Sequence, residues 1–530
     1  MLSSAALDSH NKDIQNVAAA VKQSFAEKRP FRIYHGHTNS TRQNVLKKNE
    51  SIDVSMLNRV LSFDLRGEEK TVLVEPNVAM DSLVQATLQH GLIPAVVPEF
   101  PGITVGGAYA GTAGESSSFK WGFFDRLVRR VEVVLADGRV VEASSEGEGE
   151  EKELFERLPS TMGTIGVVTA IELKLERAKR FVETKFVSVG GMKEATRMIK
   201  ENLGNEELDF LDGIMFSPTE GAVVMGRLTD VIPGNRRPQR FSGPWDPWYY
   251  MHVQSRISNA SSTDRPAVEY IPIADYLFRY DRGGFWVGRS AFKYMHFPFN
   301  RLTRWFLDDF LHTRMLYRAL HASKNVIGYV VQDLALPYET APKFVEFTDK
   351  EFKIYPLWLC PLKESPTDVG KESFHPWLAE GEKMKPMLNI GLWGLPPPTA
   401  KTHKDYVQLN QRLEKTLHEL KGLKWLYSRT YYTAAEFWKY YPKDWYDALR
   451  KKYRAEHLPD VWQKVHVDIA KERREMEGWK ARVLGIWPVA GFYGCWKGML
   501  SGDWKIARRV RIGEMDLVSK SEGVKNGKKD

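Results

Sequence analysis

Three short segments rich in glycine and hydroxyl side chains mark the first third of the chain. His35-Gly-His-Thr-Asn-Ser-Thr41 follows a strand-like Phe31-Arg-Ile-Tyr34 and combines turn formers with groups that can meet an anion. Between Pro98 and Gly122 lie Gly106, Gly107, Gly111 and Gly114, where missing side chains let successive N–H groups approach a diphosphate. A third segment, Gly163-Thr-Ile-Gly166, opens a strand that runs to Leu175. Together they suit a cofactor threaded between two subdomains, and ordinary tight turns fit the glycine content equally well. No G-x-G-x-x-G follows a strand, so a Rossmann dinucleotide site is not expected.

Other chemistries are poorly supplied. His35 and His37, with scattered histidines such as His296 and His312, lack the carboxylate and cysteine company of a metal site, so no metal is expected. No Gly-x-Ser-x-Gly element points to a hydrolase. The net charge of +9 suits anionic ligands or lipid, yet no finger, zipper or RNA-binding signature accompanies it, and no nucleic-acid partner is expected.

The elements that must position these segments are mixed. Strands are read at Val60–Phe63 and Thr71–Val74, a helix at Met80–His90, and a hairpin of Val131–Leu135 and Val140–Ala143 turning at Asp137-Gly138. From about Val182 the composition shifts, with Trp245, Trp248, Tyr249, Tyr250, Tyr270 and Trp286 crowding one region; most of them are expected in a core, and their density permits a deep apolar pocket. Strands near Val326–Val331 and Phe352–Leu359 and helices near Asp405–Leu420 and Ala434–Tyr440 continue the α+β pattern.

At 530 residues the protein needs two or more cores. The expected organisation is a glycine-bearing, cofactor-type region over 1–180, a second, aromatic-rich substrate domain over 181–465 and a basic, Trp-containing tail over 466–530. Two cysteines cannot build a disulfide framework, and no charged-then-apolar leader precedes the opening segment, so an intracellular, reducing location is expected. No apolar run reaches the roughly 18 residues of a spanning helix. The stretch Val483–Trp496, followed by Lys497, Lys505, Arg508, Arg509 and Arg511, suits either peripheral contact with an anionic membrane or packing on its own domain.

These segments resemble the vanillyl-alcohol-oxidase (PCMH-type) FAD-binding superfamily, and the sequence as a whole resembles the Δ24-sterol reductase family. The resemblance rests on Val74-Glu-Pro76, Thr104-Val-Gly-Gly107, Glu115-Ser-Ser-Ser118, Leu135-Ala-Asp-Gly138 and Gly163-Thr-Ile-Gly166 in the first domain. In the second it rests on Glu269-Tyr-Ile-Pro272, Val330-Val-Gln-Asp333, Ile354-Tyr-Pro-Leu-Trp-Leu-Cys-Pro361 and Glu436-Phe-Trp438, so it spans roughly residues 30 to 465. It implies an α+β fold in which a two-subdomain PCMH-type FAD-binding domain precedes an α+β cap domain. It implies FAD held by Gly36, His37, Thr38, Asn39, Ser40, Thr104, Val105, Gly106, Gly107, Gly111, Gly114, Glu115, Ser116, Ser117, Thr164, Gly166 and Val167, with NADPH as electron donor and a sterol or related terpenoid as substrate.

The implied reaction, reduction of an isolated C=C bond in the substrate's side chain, needs an acid because no carbonyl polarises the alkene. Candidate acids are Asp333, Glu436, Tyr427 and Tyr432, and candidates for a hydrocarbon channel are Tyr355, Trp358 and Phe437. Each also has a plain structural role open to it: Asp333 in a turn, Glu436 at a helix N-terminus, the aromatics in packing. The resemblance implies the cytosolic side of the endoplasmic-reticulum membrane, with the cytoplasm as the alternative. Gly36-His37-Thr38 also resembles the loop of aldonolactone and alditol oxidases in which histidine carries flavin covalently. A flavin oxidase of an alcohol or lactone, and a non-catalytic sterol-binding membrane-associated protein, are therefore the competing expectations.

Overall fold

In the computed structural model the described residues are 4–36, 50–260, 266–323, 328–363, 372–376, 379–380, 383–478, 486–509 and 512–515. Alternating and continuous apolar residues make Val128–Leu135 and Gly166–Arg177 the spine of a six-stranded antiparallel sheet. Val60–Asp64 and Lys70–Val74 extend it on one side, Val140–Ser144 on the other, and Leu92–Pro94 pairs with the far end of Gly166–Arg177. The Asp137-Gly138 turn forms where it was read, with Gly138 at φ +88° and its N–H donating to Leu135 O at 2.8 Å.

A second, smaller unit precedes this sheet. Arg32–Tyr34 and Ser51–Asp53 pair in parallel, and the helix Ser4–Ala26 buries Ile14, Val17 and Val21 between the two units at one helical face. His10 and Arg59 fasten that helix to the larger sheet through the buried Glu75 carboxylate, at 2.7 Å from His10 Nδ1 and 2.9 Å from Arg59 Nε. These two units form the mixed α+β, two-subdomain arrangement expected of a PCMH-type domain.

Between Arg177 and Phe181 the backbone passes into an eight-stranded antiparallel sheet. Its order is Ala267–Pro272, Phe181–Val189, Glu220–Thr229, Phe210–Ser217, Leu357–Leu362, Met387–Gly394, Val330–Pro337 and Leu423–Lys424. Helices Met192–Glu201, Ala341–Glu351 and His403–Glu419 cover one face, taking Leu334, Leu336, Leu357, Leu359, Leu388 and Ile390 into their core. Because successive side chains alternate, the same strands turn Asp333, Trp358, Cys360, Asn389 and Trp393 to the other face. The strand expected over Phe352–Leu359 starts only at Leu357: Phe352 still closes the preceding helix and Lys353 adopts φ +53°.

The tail after residue 466 contributes the helix Val489–Ser501, laid along Thr313–Ala322. Glycine makes the contact possible, since a Cβ on Gly494 would stand 2.7 Å from Ala319 O. Asp503 then pairs with Arg318 at 2.6 Å.

Candidate functional site

The uncovered face of the large sheet and the glycine segments of the first domain enclose a cavity of about 910 Å³. That is the upper end of the roughly 300–1,000 Å³ typical of ligand sites. The first-domain wall is largely main chain: Thr104, Gly106, Gly107, Gly111 and Gly114 line it, as do Met162, Gly163 and Gly166.

Close approach explains these glycines. A Cβ on Gly106 would lie 2.6 Å from Pro76 Cβ, one on Gly111 2.9 Å from Gly107 O, and one on Gly163 2.7 Å from Ile33 Cδ1. The segment expected to offer free N–H groups is nonetheless already bonded. The N–H groups of Val105 and Gly106 donate to Val78 O and Pro76 O at 2.9 and 2.7 Å, and Gly107 N–H donates to Thr104 Oγ1 at 3.2 Å, capping a short helix Val105–Ala110. This segment therefore supplies shape. Positive charge on the wall comes from Arg32 and Lys464, two residues the sequence did not single out, with Lys464 Nζ held on Met162 O beside Gly163. An anionic dinucleotide fits this wall: its backbone is bare, it carries two cations, and the buried Tyr109 hydroxyl has no hydrogen-bond partner among the described residues.

Several residues expected at the cofactor have other work. Glu115, Ser116 and Ser117 lie behind the wall, where the Glu115 carboxylate accepts from Ser116 Oγ at 2.7 Å and from Ser117 N–H at 2.9 Å. Their segment is the junction between domains: Thr112 O accepts from Trp425 Nε1 at 2.9 Å, Glu115 O from Cys360 Sγ at 3.1 Å, and Ser116 O from Leu211 N–H at 2.8 Å. Beneath it the buried Arg279 bridges Ser116 Oγ at 3.1 Å and Asp212 Oδ2 at 3.0 Å, stacked 4.2 Å from the Tyr276 ring centre. Thr164 bonds Tyr446 at 2.6 Å, and Val105 and Val167 are fully buried core residues. Gly36, at φ +83°, is the last described residue of its loop, so His37, Thr38, Asn39 and Ser40 lie outside the described residues.

The cap wall is made of side chains. Phe285, Trp358 and Trp393 pack as an aromatic cluster, with Phe285 and Trp393 ring centres 4.2 Å apart. In register across three strands stand Asp333, Gly391 and Trp358. Gly391 is required there because a Cβ would meet the Trp393 ring at 2.8 Å.

Asp333 is buried at 6% exposure, and it is clamped: Tyr427 donates its hydroxyl to Oδ2, and Asn389 Nδ2 donates to Oδ1 at 2.9 Å. Asn389 is itself fixed by Leu334 N–H at 2.9 Å. Burial pushes the Asp333 carboxyl up to about 6, against the opposing pull of hydrogen bonds from Tyr427 and Asn389. Burial likewise holds the Tyr427 phenol far above its usual range, so it remains a neutral donor. A second buried carboxyl shares the cavity. Glu99 Oε1 has no hydrogen-bond partner among the described residues, and burial, helped by the nearby Glu115, keeps this group neutral well above the carboxylate range.

Of the four candidate acids the structure thus unites Asp333 and Tyr427 at the cavity. Glu436 is exposed and closes a capping box with Thr433, accepting from Thr433 N–H at 2.8 Å. Tyr432 is bonded to His418 at 2.7 Å, and neither lines the cavity. Trp358 lines it, whereas Phe437 packs on Phe374 and Tyr441 and Tyr355 sits among the residues of the opposite face. Sequence reading missed Glu99, Asn389, Tyr317 and Trp393; a carboxylate inside Val-Val-Pro-Glu-Phe-Pro was the one available signal. Among the described residues no group of histidine, cysteine and carboxylate side chains could hold a metal ion.

Comparison with known proteins accords with this geometry. A family model described as an FAD binding domain matches residues 10–144. The protein is similar to Delta(24)-sterol reductase of Homo sapiens, 28% identical over 413 residues and 77% of each sequence. It is 27% identical to that of Arabidopsis thaliana over 425 residues, 76% of its own length and 74% of the relative, and 26% identical to that of Pisum sativum over 428 residues with the same shares. The resemblance read from the sequence is borne out in both animals and plants. The protein contains an FAD binding domain and is an FAD-dependent oxidoreductase.

Proposed function

We propose that this oxidoreductase reduces a C=C bond in the side chain of a sterol or related terpenoid, at a position of the Δ24 type, with electrons from NADPH. The observation that carries the reading is the clamped Asp333–Tyr427 pair set into an aromatic wall opposite a glycine-lined one. The similarity to proteins named Delta(24)-sterol reductase supports the substrate class.

The residues divide the task. Thr104, Gly106, Gly107, Gly111, Gly114, Gly163 and Gly166, with Arg32 and Lys464, would hold FAD. Once reduced by NADPH, bound FAD would supply the hydride that the alkene takes up. Asp333 supplies the proton: its carboxyl, held near 6, delivers H⁺ to the less substituted carbon while Tyr427 and Asn389 fix its orientation. Positive character then develops on the tertiary neighbour, where the electron-rich rings of Phe285, Trp358 and Trp393 lining the cavity would stabilise it and exclude water. The balance is alkene, NADPH and one proton giving the saturated product and NADP⁺.

The test is incubation of purified protein with FAD, NADPH and desmosterol under anaerobic conditions, followed by mass spectrometry. The expected product is heavier by two hydrogens, with bleaching of the flavin on adding NADPH. Bleaching with no product from desmosterol or other prenyl-type alkenes would sink the substrate assignment, and absence of bleaching would sink the NADPH assignment.

A further inference from the structure

The tail helix Val489–Ser501 is inverted relative to an ordinary surface helix. Its small residues face inward, with Ala490, Gly494 and Gly498 buried on the Thr313–Ala322 helix, and its large apolar residues face out. Trp487, Phe492, Tyr493, Trp496, Met499 and Leu500 are all exposed, Phe492 to 59% and Leu500 to 64%. From residue 492 onward they recur at three- and four-residue spacing, so they form one stripe. A contiguous patch of this kind marks an interaction surface.

Charge narrows the occupant. Between Ile486 and Gly502 there is no acidic residue, and the cation Lys497 lies 5.2 Å from the Trp496 ring centre and 5.8 Å from that of Tyr493. Lys293, exposed at the cavity wall, and Lys505, beside Trp504, add positive charge nearby. Tryptophan and tyrosine with apolar bodies and polar tips, flanked by lysine, suit the headgroup boundary of an anionic bilayer. No described helix is long and apolar enough to cross a membrane, so the contact lies in the interface plane.

The same segment also reaches the cavity: Trp487, Gly491 and Cys495 line it, and Trp487 Nε1 donates to Tyr294 O at 2.6 Å. We propose that the outer stripe of the Ile486–Ser501 segment docks on an anionic lipid bilayer and that the cavity takes its apolar substrate from that bilayer past this helix. The docking stands on the exposed stripe; the delivery rests on the sterol or terpenoid reading of the site.

The experiment uses the full-length holoprotein and sedimentation with vesicles of phosphatidylcholine alone or with phosphatidylserine. Wild type is expected in the pellet with phosphatidylserine vesicles, with its tryptophan emission shifted to the blue, and largely in the supernatant with phosphatidylcholine alone or at high salt. The triple variant Phe492→Ser, Trp496→Ser, Leu500→Ser should partition at least tenfold more weakly while flavin content and bleaching by NADPH stay at wild-type values. Desmosterol offered in vesicles should be turned over at least tenfold more slowly by the triple variant, and desmosterol offered in cyclodextrin at the wild-type rate. Equal partitioning of the two proteins overturns the docking, as does a dimer seen by light scattering that the triple variant dissociates while neither protein binds vesicles. Vesicle binding by wild type without turnover of either desmosterol preparation overturns the proposed function and the delivery while leaving the docking supported.

Discussion

The two walls of the cavity are built from different material. On the N-terminal side Gly106, Gly107, Gly111, Gly114 and Gly163 bring bare main chain to the surface, and Arg32 and Lys464 line it with positive charge. On the cap side the surface is Phe285, Trp358, Trp393 and the buried carboxyl of Asp333, while the other buried carboxyl of the cavity, Glu99, belongs to the first domain. A wall of main chain recognises a ligand by shape and phosphate charge, and any Cβ spoils it. A wall of side chains sets dryness, polarity and proton affinity, and its members can be exchanged one at a time. The contrast implies that one side fixes the cofactor and the other the reaction.

The sharpest way to break this division is at Asp333. Asp333→Asn should lower turnover by about 10²- to 10⁴-fold while leaving flavin content intact, measured by steady-state rate against absorbance. In wild type the carboxyl must be protonated to act, so the rate should be level below its value of about 6 and fall as pH rises through it. The sign for stability is the same: a carboxyl raised on folding favours the folded state below its unfolded value near 4 and loses that advantage as pH climbs through about 6.

Between the walls, Arg279→Met leaves Asp212 buried without its cation and should cost about 3–5 kcal/mol by chemical denaturation. The joint should suffer before either wall does. On the cofactor side Gly106→Val drives a side chain into Pro76, and about 1–3 kcal/mol of stability should go with most of the bound flavin. An unchanged flavin spectrum in that variant would erase the contrast between the walls. The smallest effect belongs to Glu436→Ala, which removes one half of a capping box: about 1 kcal/mol of stability and no change in turnover.

How much could be read in advance follows the same contrast. Glycine announces a bare backbone by composition alone, so the first wall, its hairpin and its sheet were legible. What composition hid was that the Val105 and Gly106 N–H groups are already satisfied, because Val78 and Pro76 approach them from a distant part of the sequence. On the cap side Asp333 and Tyr427 were visible as candidates, but Glu436 and Tyr432 looked equally good, since only the pairing of Asp333 with Asn389 and Tyr427 separates a clamped acid from a helix cap. Such pairings link residues 56 and 94 positions apart and leave no local signal.

The Thr112–Ser118 segment couples the two domains mechanically. Its carbonyls are gripped from the cap by Trp425, Cys360, Leu211 and Lys363, so the floor of one domain is stitched to the sheet of the other. A lid on a hinge can open and admit a replacement cofactor; two halves sewn along their floor cannot part without unpicking the seam. Loss of the cap fold should therefore carry the first domain with it, so heat or denaturant is expected to unfold the two in a single transition.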